Sequence, residues 1–328
     1  MIHVPDFDRV KVAIAGDLML DTYCIGTVRR LSPEAPVEVL DWESRVDCAG
    51  GAANVALNVL GLGGQAELTG WIGKDHAGIL LRDLLQKKLI EGQGLMELMD
   101  HPTTHKTRYL NGPKHLLRVD HESKIPFNEE LMERQMHSLG ELLHGCHAVV
   151  LQDYEKGYFN TNNVNAIISL CKQHRIPVVV DPKNEHFWLF QGVDLFKPNL
   201  KEMEQALGRK LSLEEDDLHQ ACQETRDRLG CRILMLTLGE KGVAVLDENG
   251  FFRQNGHPRN VVDVCGAGDS VIAAAACGLA LGLSPAKIAA VANWCGGLAC
   301  EHSGTHPVTL AQIRASLSEI DYTTQNAS

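Results

Sequence analysis

Asp263-Val264-Cys265-Gly266-Ala267-Gly268-Asp269-Ser270 is followed directly by the apolar, alanine-rich run Val271–Leu283. Gly-Ala-Gly allows a tight turn with exposed backbone N–H groups, and the run predicts a packed helix. Since a helix N-terminus carries partial positive charge, turn and helix together suit a phosphoryl group. Asp269 falls in the first helical turn, where an ionised carboxylate can accept a proton from a hydroxyl. The alternative interpretation is a glycine-rich turn in which Asp269 only caps the helix.

Other common catalytic motifs are missing from the sequence. Gly73-Lys74 has leucine where a P-loop requires its first glycine, and Gly61-Leu62-Gly63-Gly64 follows a predicted helix instead of opening one. No HExxH, GxSxG or zinc-ligand spacing occurs. The sequence therefore lacks the motifs that would indicate a P-loop NTPase, a dinucleotide enzyme, a serine hydrolase or a zinc protease.

Composition indicates an acidic globular protein. The chain has 328 residues, 31 Lys plus Arg and 42 Asp plus Glu, giving a formal charge of −11. This balance argues against nucleic acid or an anionic membrane as partner, although a local basic site can still bind an anionic small molecule. The longest apolar run is too short for a membrane span. Ten cysteines without CxxC spacing and no visible signal peptide predict a cytoplasmic protein.

Strand-like and helix-like segments alternate along most of the chain. The predicted strands are Val10–Ala15, Ala66–Trp71, Ala148–Gln152, Pro177–Asp181 and Ile233–Leu238. The predicted helices between them include Ala52–Leu60, Ala77–Leu89, Asn163–His174 and Leu213–Leu229. Strands that are apolar on both faces predict a mostly parallel sheet covered by helices.

Two segments depart from this alternation. Pro36–Trp42 alternates between apolar and polar residues, and Thr104–Asp120 reads as two strands around the hairpin signal Asn111-Gly112. We predict one domain over residues 1–328, with an antiparallel β lid formed by segments at about 23–48 and 103–121. The exposed edge of such a lid can pair with a second subunit, so we expect a homodimer through the lid.

Five elements, in this order, resemble the ribokinase-like carbohydrate kinases. They are Gly16-Asp17-Leu18-Met19-Leu20-Asp21, Gly50-Gly51-Ala52-Ala53-Asn54, Asn199-Leu200-Lys201-Glu202, Thr237-Leu238-Gly239-Glu240-Lys241-Gly242 and Gly266-Ala267-Gly268-Asp269. The resemblance implies a ribokinase-like α/β fold: a mostly parallel central sheet with helices on both faces and a small antiparallel β lid. It also implies an ATP-dependent sugar kinase.

The resemblance implies a role for each matching residue. Asp269 would be the base that activates the acceptor hydroxyl, and the N–H groups of Cys265, Gly266, Ala267 and Gly268 would bind the transferring phosphoryl group. The implied sugar ligands are Asp21, Gly50, Gly51 and Asn54. Asn199 and Glu202 would order Mg²⁺ through water beside the ATP phosphates. Thr237, Gly239 and Gly242 would line the nucleotide, with Asn293 near the adenine. Asp263, with the backbone around residues 302–304, would hold a monovalent cation such as K⁺.

A narrower resemblance is to the D-glycero-β-D-manno-heptose 7-phosphate kinases. It rests on Arg30-Leu31-Ser32-Pro33-Glu34-Ala35-Pro36-Val37, Lys106-Thr107-Arg108, Leu117-Arg118-Val119-Asp120, Asp153-Tyr154-Glu155-Lys156-Gly157 and Asp181-Pro182-Lys183. It implies phosphorylation of heptose 7-phosphate at C1 to the 1,7-bisphosphate, for the lipopolysaccharide inner core. The cations expected to grip the 7-phosphate are drawn from Lys106, Arg108, Arg118, Lys156 and Lys183.

Two other functions stay open from the sequence. One is a kinase of the same fold acting on another sugar or sugar phosphate, such as fructose phosphate or ribose. The other is a non-catalytic sugar or nucleotide sensor, against which the intact Gly266-Ala267-Gly268-Asp269 motif argues. Since the chain stops at Ser328, we expect the stand-alone kinase and not a fusion to a nucleotidyltransferase.

Overall fold

Alternate side chains of the first strand, Lys11–Gly16, are buried on opposite faces of the central sheet. Val12 and Ile14 pack into one hydrophobic cluster, and Ala13 and Ala15 pack into a second. Helices cover both faces, so every position of such a strand is apolar. The computed structural model describes residues 4–88, 90, 94–126, 128–257 and 259–317.

The strands of the described residues are as follows, in chain order. They are β1 Lys11–Gly16, β2 Leu18–Leu31, β3 Glu38–Gly51, β4 Gln65–Gly73, β5 Leu95–Leu98, β6 Thr104–Asn111, β7 Lys114–His121, β8 Ala148–Gln152, β9 Val178–Asp181, β10 Leu195–Phe196, β11 Ile233–Thr237, β12 Val243–Asp247 and β13 Gly250–Gln254. The α-helices with defined bounds are α1 Ala52–Gly61, α2 His76–Gln86, α3 Glu129–Leu143, α4 Val164–Gln173, α5 Leu200–Leu207, α6 Glu215–Leu229, α7 Ala267–Ala280 and α8 Pro285–Ala299.

The large sheet has nine strands in the order β13-β12-β11-β10-β9-β8-β1-β4-β5. All neighbouring pairs from β11 to β5 are parallel, whereas β12 and β13 add an antiparallel edge. The prediction of a mostly parallel sheet between helices is confirmed. Among the described residues, no helix is both long and apolar enough to cross a bilayer.

The small sheet has four strands in the order β3-β2-β6-β7 and is called the lid sheet below. Its outer pairs are antiparallel, as predicted, but its central pair β2–β6 is parallel. Strands β2 and β3 are also longer than the predicted lid segment. Because they run from Leu18 to Gly51, the hairpin begins and ends at the edge of the large sheet.

The carboxyl ends of the parallel strands bring polar residues together. Asp17 follows β1, Gln152 ends β8, Asp181 ends β9, and Lys197 follows β10. In parallel α/β sheets, ligands bind outside these strand ends. Helix α7 contacts β1, β8 and β9, which places its first turn beside this polar edge.

Candidate active site

Asp269 lies in the first turn of α7, directly after a turn in which Gly266 has a left-handed conformation with φ 77°. Its side chain is buried, and the residue is 2% exposed. Oδ2 accepts a hydrogen bond from Nδ2 of Asn54 at 2.7 Å. Oδ1 accepts one from the Tyr154 hydroxyl at 2.8 Å and one from Nε2 of Gln152 at 3.3 Å. The carboxylate is therefore held in a polar network and not in apolar packing.

The environment of Asp269 shifts its proton affinity. Burial, together with the charge of the nearby Asp181, raises the pKa of Asp269 to about 7. The hydrogen bonds from Asn54 and Tyr154 and the charge of Lys197 oppose this shift. A carboxylate with a pKa near 7 can both take up and release a proton at neutral pH, which is the property of an efficient general base.

Some backbone N–H groups at the start of α7 have no acceptor, an arrangement that suits an anion. The N–H groups of Cys265 and Ala267 donate within the turn, to a carboxylate and a carbonyl oxygen. For the N–H groups of Gly266, Gly268 and Asp269, no acceptor lies within bonding distance among the residues described. The free amides therefore differ from the predicted set: Asp269 contributes one, and those of Cys265 and Ala267 are already engaged.

The predicted sugar ligands meet at the base of the lid sheet. Asp21 and Arg108 form a buried ion pair, and the Arg108 guanidinium lies 5.1 Å from the Tyr23 ring centroid. A Cβ atom on Gly50 would lie 2.3 Å from Oδ2 of Asp21. Gly51 has φ 60°, a left-handed conformation that favours glycine. Gly50 thus allows the backbone to lie close to Asp21, whereas a Cβ on Gly51 would lie 2.4 Å from the Asp17 carbonyl oxygen.

A group of cations lies on the lid sheet and beside it. Lys106 on β6 pairs with Asp120 at 3.3 Å and with Glu122 at 2.7 Å. Arg118 on β7 pairs with Asp120 at 2.9 Å, and Lys156 pairs with Glu122 at 2.7 Å. Asp120 and Glu122 thus link these three cations into one connected cluster.

Lys183 lies apart from that cluster, in contrast to the prediction. Its ammonium pairs with Glu202 and lies 5.3 Å from the Tyr154 ring centroid. Glu202 lies in the first turn of α5, whose N-cap is Asn199, so Lys183 is on the side expected for the nucleotide. The sequence neighbourhood Asp181-Pro182-Lys183 did not reveal on which side of Asp269 the lysine would lie.

Asn199 and Glu202 form a capping box at the start of α5. Oδ1 of Asn199 accepts from the Glu202 N–H, and Oε2 of Glu202 accepts from the Asn199 N–H, both at 2.9 Å. Their oxygen atoms fit hydrated Mg²⁺, which prefers oxygen ligands and retains water. Since both Glu202 carboxylate oxygens already accept hydrogen bonds, the pair would hold the ion through water. No cluster of three or more His, Cys, Asp or Glu residues suited to direct metal binding occurs in the described part of the chain.

The predicted nucleotide residues lie near the same edge. Thr237 ends β11 and bridges to Asn199. Gly239 begins a short 3-10 turn and Gly242 follows it, with φ 60° and 94°. Asn293 on α8 is buried and donates from Nδ2 to the Asn255 carbonyl at 2.8 Å.

Asp263 connects two loops beside the start of α7. Its Oδ1 accepts from the Cys265 N–H and its Oδ2 from the Gly304 N–H, both at 3.0 Å. Despite partial burial, these bonds lower the pKa of Asp263. An ionised carboxylate between these loops is compatible with the predicted monovalent cation.

Several site residues were missed by sequence reasoning. Gln152 donates to Asp269 and to Asp181, and Asp181 pairs with the buried Lys197 at 3.0 Å. Tyr154 bonds Asp269 directly. The available signal was position, since each follows or ends a buried parallel strand, where polar residues gather.

Asp17 is a further missed residue, and it positions the loop that carries Tyr154. Its carboxylate accepts backbone hydrogen bonds from Tyr154, Lys156 and Tyr158 at 2.7, 3.1 and 3.0 Å. Burial, together with the charge of Asp153, raises the pKa of Asp17 to about 6.

The sequence matches the pfkB family of carbohydrate kinases over residues 10–311. The chain belongs to the pfkB family. Members of this carbohydrate kinase family use ATP and Mg²⁺. In this chain, the residues that resemble the family's motifs lie along the polar edge that includes Asp269. The ribokinase-like fold and the kinase class predicted from the sequence are therefore confirmed.

One of two curated relatives is named as a heptose 7-phosphate kinase, and the other is named as a bifunctional protein. The "D-beta-D-heptose 7-phosphate kinase" of Bordetella bronchiseptica is 37% identical over 305 residues, covering 93% of this chain and 95% of the relative. The "Bifunctional protein HldE" of Coxiella burnetii is 36% identical over 322 residues, covering 97% of this chain. The chain spans 66% of the length of that bifunctional relative.

Two solved structures of other sugar kinases share the fold at lower identity. Phosphofructokinase-2 from Escherichia coli, in complex with potassium, aligns with a TM-score of 0.78 and 21% identity, covering 93% of this chain and 97% of that one. Arabidopsis thaliana ribokinase, complexed with ribose and ATP, aligns with a TM-score of 0.71 and 20% identity, covering 93% and 98%. These likenesses show the fold of the chain and do not identify the sugar.

Proposed function

We propose that this chain transfers the γ-phosphoryl group of ATP to the C1 hydroxyl of D-glycero-β-D-manno-heptose 7-phosphate, giving the 1,7-bisphosphate and ADP. One observation carries the proposal. The buried Asp269 carboxylate, with a pKa of about 7, lies at the amide-lined start of α7. The lid cations and the relatives named for heptose 7-phosphate support the choice of sugar.

The residues suggest how the transfer proceeds. Asp269 accepts the proton of the C1 hydroxyl while the C1 oxygen bonds to the γ-phosphorus and the bond to the β–γ bridging oxygen breaks. The free N–H groups at Gly268 and Asp269 stabilise the negative charge on the transferring group. Mg²⁺, when bound, neutralises charge on the nucleotide phosphates. Asn54 and Tyr154 hold the carboxylate in one orientation.

We assign the sugar and the nucleotide to opposite sides of Asp269. The sugar contacts Asp21, Gly50, Gly51, Asn54 and Arg108. Its phosphate binds the cations of the lid cluster. Lys183 is reassigned to the nucleotide phosphates because it pairs with Glu202. A lid that closes over the sugar excludes water, which would otherwise accept the phosphoryl group.

The rival kinase function is phosphorylation of another sugar or sugar phosphate. The deciding experiment measures ADP release by a coupled assay with heptose 7-phosphate, fructose 6-phosphate and ribose in parallel. We expect the highest kcat/KM with heptose 7-phosphate. A strong preference for fructose 6-phosphate or ribose would overturn the substrate assignment, and absence of turnover with every sugar would favour the sensor.

We further propose a cytoplasmic homodimer that serves lipopolysaccharide inner-core synthesis. All ten cysteines are unpaired, which is typical of a reducing compartment. Large apolar side chains are exposed on the lid strands, including Leu31, Trp42, Leu117 and Val119. A second copy covering them would bury this apolar surface.

A further inference from the structure

Glu122 connects two lysines from different parts of the fold. Its Oε2 accepts from Lys106 and its Oε1 from Lys156, each at 2.7 Å. Lys106 belongs to β6 of the lid sheet, whereas Lys156 belongs to the loop after β8 of the large sheet. The side chains of Lys106, Lys156 and Glu122 are partly exposed, at 14%, 21% and 27%. One carboxylate therefore bridges the lid sheet and the body of the kinase.

The cluster around Glu122 has a net positive charge. Lys106, Arg118 and Lys156 supply three cations, while Asp120 and Glu122 supply two carboxylates. If Glu122 moved away, the remaining charge would be +2. A phosphate monoester carries about −1.5 to −2 at neutral pH and offers three acceptor oxygens. It would therefore match the emptied position better than a carboxylate does.

The position of this cluster suits the far end of a bound sugar phosphate. Lys106 is directly opposite Asp21 in the parallel β2–β6 pair, and neighbouring strands are only about 4.8 Å apart. Lys156 is two residues from Tyr154, whose hydroxyl bonds Asp269. The cluster thus flanks both the sugar ligand Asp21 and the loop that holds the base.

We propose that Glu122 fills the phosphate subsite of the substrate-free enzyme, and that the phosphate group of the sugar replaces it between Lys106 and Lys156. This inference rests on the proposed function, because it identifies where a phosphorylated sugar is recognised. A sugar without phosphate leaves Glu122 in place and gains nothing from the lysines. Glu122 therefore acts as a specificity-determining residue that favours phosphorylated sugars over neutral ones.

The direct test measures binding of inorganic phosphate by isothermal titration calorimetry. Glu122→Gln keeps the shape of the side chain but removes its charge. Since partly exposed ion pairs are individually weak, we expect this variant to bind phosphate about fivefold more tightly than wild type. Glu185→Gln is the matched control, because Glu185 pairs with the exposed Lys124 outside the cluster, and it should bind phosphate like wild type.

A double variant assigns the gain to the subsite. Glu122→Gln combined with Lys156→Met should lose the increase in phosphate affinity. If Glu122→Gln binds phosphate no more tightly than wild type, or if the increase survives without Lys156, the proposal is wrong. Circular dichroism of each variant verifies that it is folded before titration.

Kinetics separate this proposal from the proposed function. With heptose 7-phosphate, Glu122→Gln should lower the KM for the sugar by about the same factor and leave the KM for ATP unchanged. If wild type does not turn over heptose 7-phosphate, the proposed function fails. The phosphate titrations still decide whether Glu122 occupies an anion subsite, so the two failures are distinguishable.

Discussion

Asn54 and Asp269, which are 215 positions apart in the sequence, are joined by a 2.7 Å hydrogen bond from Nδ2 to Oδ2. The bond connects the start of α1 with the start of α7, and these helices pack against each other. It favours the ionised carboxylate, so it opposes the increase in pKa that burial causes. Two motifs that the sequence shows separately therefore act on the same group.

Replacing Asp269 tests its role as the base. Asp269→Asn preserves the size of the side chain but removes the proton acceptor, so kcat should fall by a factor on the order of 10²–10⁴. ATP and sugar binding should persist when measured by calorimetry. An Asp269→Asn variant that keeps wild-type turnover would exclude this carboxylate as the base.

The same variant should change how stability depends on pH. Because the folded-state pKa of Asp269 is about 7 and its ordinary value is 3.8, the folded protein binds this proton more tightly than the unfolded chain. The associated stability is present below about pH 4 and is lost as pH rises to about 7. Relative to wild type, Asp269→Asn should gain roughly 1 kcal/mol of unfolding free energy per pH unit in this window. Urea denaturation at pH 5 and pH 7 measures the difference, and a constant gap would contradict the raised pKa.

Tyr154 should tune the pH profile of the reaction. The base must be deprotonated, so wild-type kcat/KM should fall as pH decreases through about 7. Tyr154→Phe removes a hydrogen bond that lowers the pKa of Asp269, so this limb should move to higher pH and activity should recover under alkaline conditions. Tyr158→Phe is the matched control, because Tyr158 is buried and in the same loop. An unshifted pH profile for Tyr154→Phe would show that the hydroxyl does not affect the pKa of Asp269.

Gly266 should tolerate no side chain. At φ 77° an alanine is strained, and its Cβ would lie 2.8 Å from Nδ2 of Asn54. Gly266→Ala should lower both the melting temperature and kcat because it displaces the donor to Asp269. Gly208→Ala is the control, since Gly208 has φ 67° with no atom within 4 Å of the added Cβ. It should reduce stability alone; equal kcat losses in both variants would contradict the argument.

The lid-mediated dimer is tested by charge substitution. Trp42 on the lid strand β3 is 69% exposed, and Ile79 on α2 is 59% exposed. Trp42→Asp should convert the dimer to monomer in sedimentation experiments, because burying an unpaired charge at an interface is unfavourable. Ile79→Asp should leave the dimer intact. A wild-type mass near that of one 36.0 kDa chain would refute the dimer.

The sequence predicted the elements whose apolar pattern is local. β8 has the predicted bounds, Ala148–Gln152, and Ala52 starts α1 as expected. The antiparallel edge β12–β13 and the parallel β2–β6 pair were missed, because strand order and direction depend on contacts between distant segments. Polar residues inside long strands, such as Thr22 and Asp47, hid the true length of β2 and β3.

Site prediction was limited in the same way. Motif residues such as Asp269 and Asn54 contact each other in the structure. A sequence motif does not show, however, with which carboxylate a lysine forms its salt bridge. Lys183 pairs with Glu202, and Lys197 with Asp181, through strand ends that only the folded sheet brings together. Glu122, which belongs to no motif, had no local signal at all.

The parallel β2–β6 pair joins residue 19 to residue 104 and residue 26 to residue 111. During synthesis, the hairpin of β2 and β3 leaves the ribosome well before β6 is synthesised, so one edge of β2 stays unpaired. Contacts of such large sequence separation form slowly. The nascent chain therefore exposes an unpaired, aggregation-prone strand edge until residue 111 emerges. A chaperone would be most useful during this interval.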